Sequence, residues 1–293
     1  MLTDELMREV RRLQVRTRRR VEGLFAGRYH SAFKGRGIEF SEVREYEPGD
    51  DVRAIDWNVT ARTGRPFIKR FVEERELTVV LAVDISASEA FGSAGRPKRR
   101  LAAEAAAVIA LSAARNNDRV GLLLFSDHAE LYVPPRKGRT HLLRVLRELL
   151  SFEPRGRGTD LAGAADVLGG VLTRRALVFV VSDFLASGWE TRMRVLRRRH
   201  EVIALTLSDP RERSLPKAGL VEVTDPETGA RAVVDCASRA ARAGFERAWQ
   251  ESEAAVRTAL DRARVGRIAL STDEPFVPAL IAYFTARERR RHA

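Results

Sequence analysis

From Leu77 onward, short apolar runs alternate with longer segments in which apolar residues recur at helical spacing. A nearly unbroken apolar run such as 77–83 is typical of a parallel strand that helices cover on both faces. The alternation predicts a doubly wound α/β fold, with a mostly parallel sheet flanked by helices. The predicted strands are 77–83, 119–125, 129–133, 176–181, 201–207 and 267–270, and the predicted helices are 98–116, 140–150, 161–173, 190–198, 239–264 and 275–287.

Two features modify this alternation. The strand that begins at Ala129 should end before Pro134 and Pro135, because proline cannot donate to a strand ladder. Two β-like runs flank the turn Asp225-Pro-Glu-Thr-Gly229, which predicts a β-hairpin insertion over 217–235. One apolar stripe along the predicted helix 239–264 indicates a single buried face; its members are Phe245, Trp249, Val256 and Leu260.

The chain before Leu77 has a different character. Residues 1–24 combine an apolar stripe with many arginines and predict a basic amphipathic helix. Residues 25–76 are rich in charge and turn residues, and we expect them to wrap around and pack on the main domain, 77–287, instead of forming their own core. Residues 288–293 are predicted to be a basic tail.

The basic N-terminal helix has several readings. It can dock on the protein with a solvated outer face, or its arginines, such as Arg8, Arg12 and Arg19, can bind an acidic protein, an anionic lipid surface or nucleic acid. Few aromatic residues lie among these arginines, which weakens the single-strand nucleic-acid reading. Docking remains the first interpretation, and binding to an anionic surface or nucleic acid is the alternative function.

Composition indicates the cellular compartment in which the protein acts. The chain has 293 residues, a formal net charge of +12 and one cysteine. A single cysteine excludes an intramolecular disulfide framework and favours a reducing compartment. No apolar run approaches the roughly 20 residues of a membrane span, and nothing resembles an export signal. The sequence therefore predicts a cytoplasmic protein without a transmembrane segment.

Polar side chains follow the first predicted strand of the main domain. Asp84, Ser86 and Ser88 alternate at its end, so that their oxygens can converge if the loop curls. Carboxylate and hydroxyl oxygens are hard ligands that suit a small cation such as Mg²⁺. The competing interpretation is that these residues only close the strand and cap the next helix.

Two other segments offer matching oxygens. Thr159 follows the glycine-containing loop 156–158, and Asp183 follows the buried run 176–181. Ligand sites in parallel sheets lie at the carboxyl ends of strands, where these segments can meet Asp84. The combination favours a metal site over a capping turn.

These five residues resemble the metal-ion-dependent adhesion site of von Willebrand factor type A domains, in order and spacing. The chain is also similar to one branch of that superfamily, the domain of unknown function 58 family, from about Leu24 to beyond Asp235. Glu89 departs from the pattern, since many such domains have methionine after the second serine. The motifs that carry the family resemblance are residues 35–40, 43–53, 55–57, 61–62, 71–76, 121–126 and 209–212.

The resemblance implies a function. A divalent cation, Mg²⁺ first and Mn²⁺ or Ca²⁺ as alternatives, would be held by Asp84, Ser86, Ser88, Thr159 and Asp183, with a position left for a partner's carboxylate. Glu89, Arg157 and Asp160 are candidate partner-binding residues beside it. Family members are commonly thought to act with MoxR-type AAA+ ATPases, which implies such a partner and a role in complex assembly or maturation.

Features of enzymes are sparse. The sequence lacks a G-x-x-x-x-G-K-[ST] loop for nucleotide phosphates, and its five histidines form no H-x-x-x-H pair for zinc. Cys236 has no histidine nearby in sequence, so we interpret it as an ordinary thiol. We therefore expect a metal-dependent protein interaction module and not an enzyme, with a metal-dependent hydrolase as the third reading.

Overall fold

The computed structural model describes Tyr29, Ala32 and residues 39–47, 50–52, 55–72 and 76–292. The predicted helix over 1–24, with Arg8, Arg12 and Arg19, lies outside the described residues. The chain divides into two compact units, one of residues 33–76 and one that includes 77–292 together with Tyr29 and Ala32. The prediction that the segment before Leu77 packs on the main domain stays a prediction.

The unit of residues 33–76 contains a small antiparallel sheet. Strand β1 (Glu39–Glu45) pairs with β2 (Phe67–Val72), and helix α1 (Trp57–Thr63) lies between them in sequence. Asp56 caps this helix by accepting hydrogen bonds from the backbone amides of Asn58 at 3.0 Å and Val59 at 3.4 Å. The Asp56 carboxylate therefore satisfies two backbone amides at the start of α1, as a helix cap does.

The main unit is a six-stranded mixed sheet between two layers of helices. Its elements are β3 (Thr78–Asp84), α2 (Lys98–Arg115), β4 (Arg119–Phe125), β5 (Ala129–Arg136), α3 (Arg139–Ser151), α4 (Leu161–Val171), β6 (Leu177–Ser182), α5 (Glu190–Arg199), β7 (Glu201–Ser208), α6 (Pro210–Arg213), β8 (Leu220–Thr224), β9 (Arg231–Asp235), α7 (Arg239–Arg262), β10 (Gly266–Ser271) and α8 (Phe276–His292). The strand order is β10-β7-β6-β3-β4-β5, and all neighbours are parallel except β4 and β5. This architecture confirms the predicted α/β class.

The direction of winding reverses at β3. From β3 the chain moves outward through β4 and β5, and it then returns to β6, which pairs with the other side of β3. In an open parallel sheet, such a reversal leaves a crevice at the carboxyl ends of the two strands that flank it. The crevice here lies between the ends of β3 and β6, at Asp84 and Ser182.

The core explains why these runs form strands. Side chains of β3 are buried on both faces, and alternate residues such as Val80 and Ala82 join a cluster with α4, α5 and the end of α7. The alanine-rich α2 is buried over most of its length, since small side chains let a helix approach the sheet closely. Tyr29 is fully buried and donates a hydrogen bond to Asp118 at 3.2 Å.

Three local expectations are corrected. Strand β5 does not end before Pro134 but continues to Arg136, because it lies at the sheet edge, where a missing amide donor is tolerated. The stripe of α7 is not uniformly buried, since Leu260 is buried but Phe245 is exposed. The segment predicted as a basic tail is helical as far as His292, as the last turns of α8.

The β-hairpin is formed by β8 and β9, as expected for the insertion. Its outward face is open, with Leu220 75% and Val233 66% exposed. Among the described residues, none of the helices combines the length and the apolar character that crossing a membrane requires.

Candidate metal centre

Asp84 lies at the carboxyl end of β3 and is fully buried. One of its carboxylate oxygens accepts a hydrogen bond from the Ser86 amide at 2.9 Å, and the other accepts one from the Ser182 hydroxyl at 2.7 Å. Burial raises the pKa of Asp84 to about 6, and these hydrogen bonds oppose part of the increase. The carboxylate is thus oriented by its neighbours but poorly solvated.

Ser86 immediately precedes a short 3-10 helix, Ala87–Ala90, and Ser88 lies within it. The hydroxyl oxygens of Ser86 and Ser88 lie 3.1 Å apart, beside the Asp84 loop. The hydroxyls of Ser86 and Ser88 thus lie close together, as their alternate spacing predicts. Two hydroxyls and a carboxylate form one side of the centre.

Asp183 extends from β6 into the same crevice, and the backbone beside it is unusual. Phe184 has a φ of 61°, which is uncommon for a bulky residue. Its buried ring packs edge-to-face against Trp189, with centroids 5.3 Å apart, and this packing stabilises the turn. The turn lets one Asp183 oxygen accept the Leu185 amide at 3.1 Å and directs the other inward.

Glu89 completes a group of three buried carboxylates. Oxygen atoms of Asp84, Glu89 and Asp183 all lie within 4.8 Å of one another. Glu89 is fully buried, and neither of its carboxylate oxygens has a hydrogen-bond partner among the described residues. Burial raises the pKa of Glu89 well above its usual range, although nearby Lys98 opposes the increase. Glu89, predicted from the sequence to be a partner-binding residue, thus has its carboxylate beside those of Asp84 and Asp183.

Lys98 is a fully buried ammonium beside this group. Its Nζ lies 2.7 Å from Asp183 Oδ2 and 2.7 Å from Glu212 Oε1. Burial alone would lower the pKa of Lys98, but the negative charges of Glu89, Asp183 and Glu212 outweigh it and raise the pKa. A single ammonium does not neutralise these three carboxylates.

The 209–212 motif holds Glu212 in place. Asp209 caps α6, and its amide donates to Glu212 Oε2 at 2.8 Å, which leaves Glu212 Oε1 for Lys98. The buried Asp209 carboxylate also accepts from the Ser93 amide at 2.9 Å and from the Thr272 hydroxyl at 2.5 Å. The motif thus joins the loop after β3 to the ends of β7 and β10.

The loop that carries Thr159 is attached to the site through its backbone. Ala87 N–H donates to the Arg157 carbonyl at 2.9 Å, and Asp160 N–H donates to the Ser126 carbonyl at 2.7 Å. Glu130 accepts the Gly156 amide at 2.8 Å. A side chain on Gly156 would overlap Ser126 Oγ, so this glycine permits a close approach to the end of β4.

The hydroxyl of Thr159 contacts the hairpin. It donates to Glu227 Oε1 at 2.8 Å, and Glu227 belongs to the turn between β8 and β9. Arg157 Nη2 donates to the Pro226 carbonyl of the same turn at 3.1 Å. Asp160 accepts the Gly163 amide at 2.8 Å and caps α4. Arg157 and Asp160, which we expected to bind a partner, therefore have structural contacts here.

The residues in place fit a hard divalent cation. Carboxylate and hydroxyl oxygens are the ligands that Mg²⁺ and Ca²⁺ prefer. The two unpartnered oxygens of Glu89 are costly in a buried position, and a bound cation would satisfy them. The sequence did not identify Glu89 as a ligand, nor Lys98, Glu212 or Glu227 as neighbours of the site.

A cleft of about 290 Å³ opens beside Asp183 at the same edge of the sheet. Its walls include Arg213 and Trp249, and the guanidinium carbon of Arg213 lies 5.6 Å from the centroid of the Trp249 ring. Arg267, also in the wall, forms an ion pair with Glu253 at 2.7 Å. The candidate centre therefore borders a surface depression that has both aromatic and charged walls.

Known proteins resemble this chain over most of its length. Residues 42–255 match the model of a family described as protein of unknown function DUF58. Uncharacterized proteins of Mycobacterium bovis and Mycobacterium tuberculosis are each 35% identical over 288 residues, which cover 97% of this chain and 90% of theirs. The solved structure of the conserved hypothetical protein BatB from Bacteroides thetaiotaomicron aligns at 15% identity with a TM-score of 0.48, covering 73% of this chain and 99% of its own. By its family match and its relatives, the chain belongs to the DUF58 family.

Proposed function

We propose that this protein is a metal-dependent interaction module, which binds a divalent cation at the crevice between β3 and β6 and, through it, a carboxylate of a partner protein. The observation that carries the proposal is the group of buried oxygens of Asp84, Glu89 and Asp183 within 4.8 Å, with both Glu89 oxygens unpartnered. Mg²⁺ is the cation we favour, with Mn²⁺ and Ca²⁺ as alternatives.

Each residue has a distinct role in the proposal. Asp84, Glu89 and Asp183 supply negative charge, and Ser86, Ser88 and Thr159 supply neutral oxygens that do not reduce the charge of the ion further. Ser182 orients Asp84 through its 2.7 Å hydrogen bond, and Lys98 orients Asp183 through its 2.7 Å ion pair. When bound, the cation would supply a positive charge that attracts an anionic side chain of the partner.

We further propose that the partner is a MoxR-type AAA+ ATPase and that the complex acts in assembly or maturation of other proteins. This step rests on the family resemblance alone. The cleft beside Asp183 offers a surface on which the segment around the partner's carboxylate can lie.

Binding of the cation tests the proposal directly. Mn²⁺ titrated into the purified protein should bind at one site. Asp84→Ala should weaken this binding by at least about 10- to 100-fold, which is the loss of affinity seen when a residue that only supports a metal ligand is removed. Asp166→Ala is a matched control, because Asp166 is an exposed carboxylate on α4 that pairs with Arg192 at the surface. Equal Mn²⁺ affinity in the wild type and in Asp84→Ala would refute the site.

The interaction itself needs a second experiment. Capture of a purified MoxR-type AAA+ ATPase from the same organism should require Mg²⁺, and it should be lost in EDTA and in Asp84→Ala but not in Asp166→Ala. Capture that persists in EDTA and in Asp84→Ala would show that the partner binds without the cation.

A further inference from the structure

The turn of the β-hairpin lies against the loop that carries Thr159. Thr159 donates its hydroxyl proton to Glu227 Oε1 at 2.8 Å, and Arg157 donates to the Pro226 carbonyl at 3.1 Å. Thr159 is a proposed ligand, and these two contacts bring a carboxylate of the insertion to its hydroxyl. Thr159 and Glu227 are 68 residues apart in the sequence.

The turn is braced so that Glu227 keeps this position. Asp225 accepts the Glu227 amide at 2.9 Å and the Thr228 hydroxyl at 2.6 Å, while the Gly229 amide donates to the Asp225 carbonyl at 2.8 Å. Gly229 has a φ of 73°, a conformation that favours glycine. These contacts reduce the entropy lost when Glu227 binds, because the turn is already formed.

The strands of the hairpin contribute little to the hydrophobic core. Its strands carry exposed apolar residues, Leu220 and Val233 among them, and neither strand joins the six-stranded sheet. The hairpin therefore positions its turn more than it builds the core.

We propose that Glu227 is an internal carboxylate ligand of the cation site, which takes the position that a partner's carboxylate must occupy. This inference rests on the proposed function, since it requires the cation. Displacement of the turn is then part of partner binding, and the apparent affinity for the partner is reduced by the fraction of molecules in which Glu227 is bound.

Mn²⁺ is the probe for the first test, with the full chain and three variants: Glu227→Ala, Glu222→Ala and Asp84→Ala. Glu222 is the matched control, because it is an exposed carboxylate on the same hairpin that pairs with Arg231 across the strands at 3.3 Å. Affinity is measured from free Mn²⁺ by electron paramagnetic resonance. Hydration of the bound ion is measured from water-proton relaxation.

We expect Glu227→Ala to weaken Mn²⁺ binding by about 10- to 100-fold. It should also increase the relaxation per bound ion, because water replaces the carboxylate, while Glu222→Ala matches the wild type. If Asp84→Ala abolishes binding but Glu227→Ala matches the wild type in both measurements, the cation site stands and the internal ligand is refuted. If Asp84→Ala binds like the wild type, the site itself is refuted, and the internal ligand with it.

Acetate, as a minimal carboxylate, tests the competition. It should displace water from bound Mn²⁺ in Glu227→Ala and lower the relaxation per bound ion, whereas the same acetate concentrations should leave the relaxation of the wild type unchanged, because Glu227 already occupies that position. Equal acetate dependence in the two proteins would overturn the claim that Glu227 holds the partner's position.

Discussion

At the scale of single residues, the centre is a group of buried charges that oppose folding. Asp84 has an ordinary pKa of 3.8 and a pKa of about 6 in the folded protein, mainly because burial removes its water. A proton therefore binds the folded state more tightly than the unfolded state. The stabilisation of the folded state by protonated Asp84 is fully present below pH 3.8, and it is lost as the pH rises through 6.

The variant Asp84→Asn tests whether ionisation of buried Asp84 lowers the free energy of unfolding. Without metal, lowering the pH from 7.5 to 5 should increase the free energy of unfolding of the wild type by about 1–2 kcal/mol through Asp84. The asparagine variant should lack this increment, since its side chain does not titrate. Urea denaturation in EDTA at both pH values measures the difference, and an identical pH dependence of the two proteins would contradict the argument.

Part of the centre was predictable from residue types. Asp84, Ser86, Ser88 and Asp183 follow apolar runs that end in polar oxygens, and buried strands place such ends at one edge. Lys98 was missed, although it carries a signal: it opens α2, where the positive end of the helix dipole disfavours a cation. A lysine at that position indicates carboxylates nearby, here Asp183 and Glu212.

At the scale of elements, the loop after α3 determines where Thr159 lies. The loop is fixed to β4 and β5 through Ser126 and Glu130, and Gly156 makes that contact possible. Gly158 is less constrained, because an added Cβ would lie 3.6 Å from Asp127 Cβ and 3.9 Å from Glu227 Oε2, which are ordinary contact distances.

These two glycines give a matched pair of variants. Gly156→Ala should displace the loop from Ser126 and destabilise the protein by about 1–3 kcal/mol, as overpacking commonly does. It should also weaken Mn²⁺ binding, because Thr159 moves with the loop. Gly158→Ala should leave the site in place. Urea denaturation and Mn²⁺ titration provide the measurements, and similar losses in both variants would show that the close approach at Gly156 is not the cause.

Most regular elements of the main unit follow from apolar periodicity, and β4 was predicted with its observed bounds, Arg119–Phe125. Strand β1 was missed because Glu-Phe-Ser-Glu-Val-Arg-Glu contains few apolar residues, and its pairing with β2 is not encoded in its own composition. The contact of Glu227 with Thr159 was also missed, since no local pattern connects a hairpin turn to a loop 68 residues away.

At the scale of the whole main unit, the centre joins elements that are distant in the sequence. The proposed ligands come from the ends of β3 and β6, the loop before α4 and the turn after β3, while Lys98 and Glu212 add α2 and α6. A cation at this junction would bind the folded protein and not the unfolded chain. Its binding free energy would therefore add to the stability of the whole fold.

Cys236 makes this linkage measurable. It is the one cysteine of the chain and is fully buried, so a thiol reagent reaches it only when the protein opens. At a Mg²⁺ concentration 100 times the dissociation constant, the free energy of unfolding should rise by about 2.7 kcal/mol, and labelling of Cys236 should slow by about 100-fold if global unfolding exposes it. Asp84→Ala should show neither effect. If Mg²⁺ raised the urea midpoint of the wild type but left its labelling rate unchanged, Cys236 would be exposed by a local opening that keeps the cation bound. The linkage between the centre and the exposure of Cys236 would then be excluded.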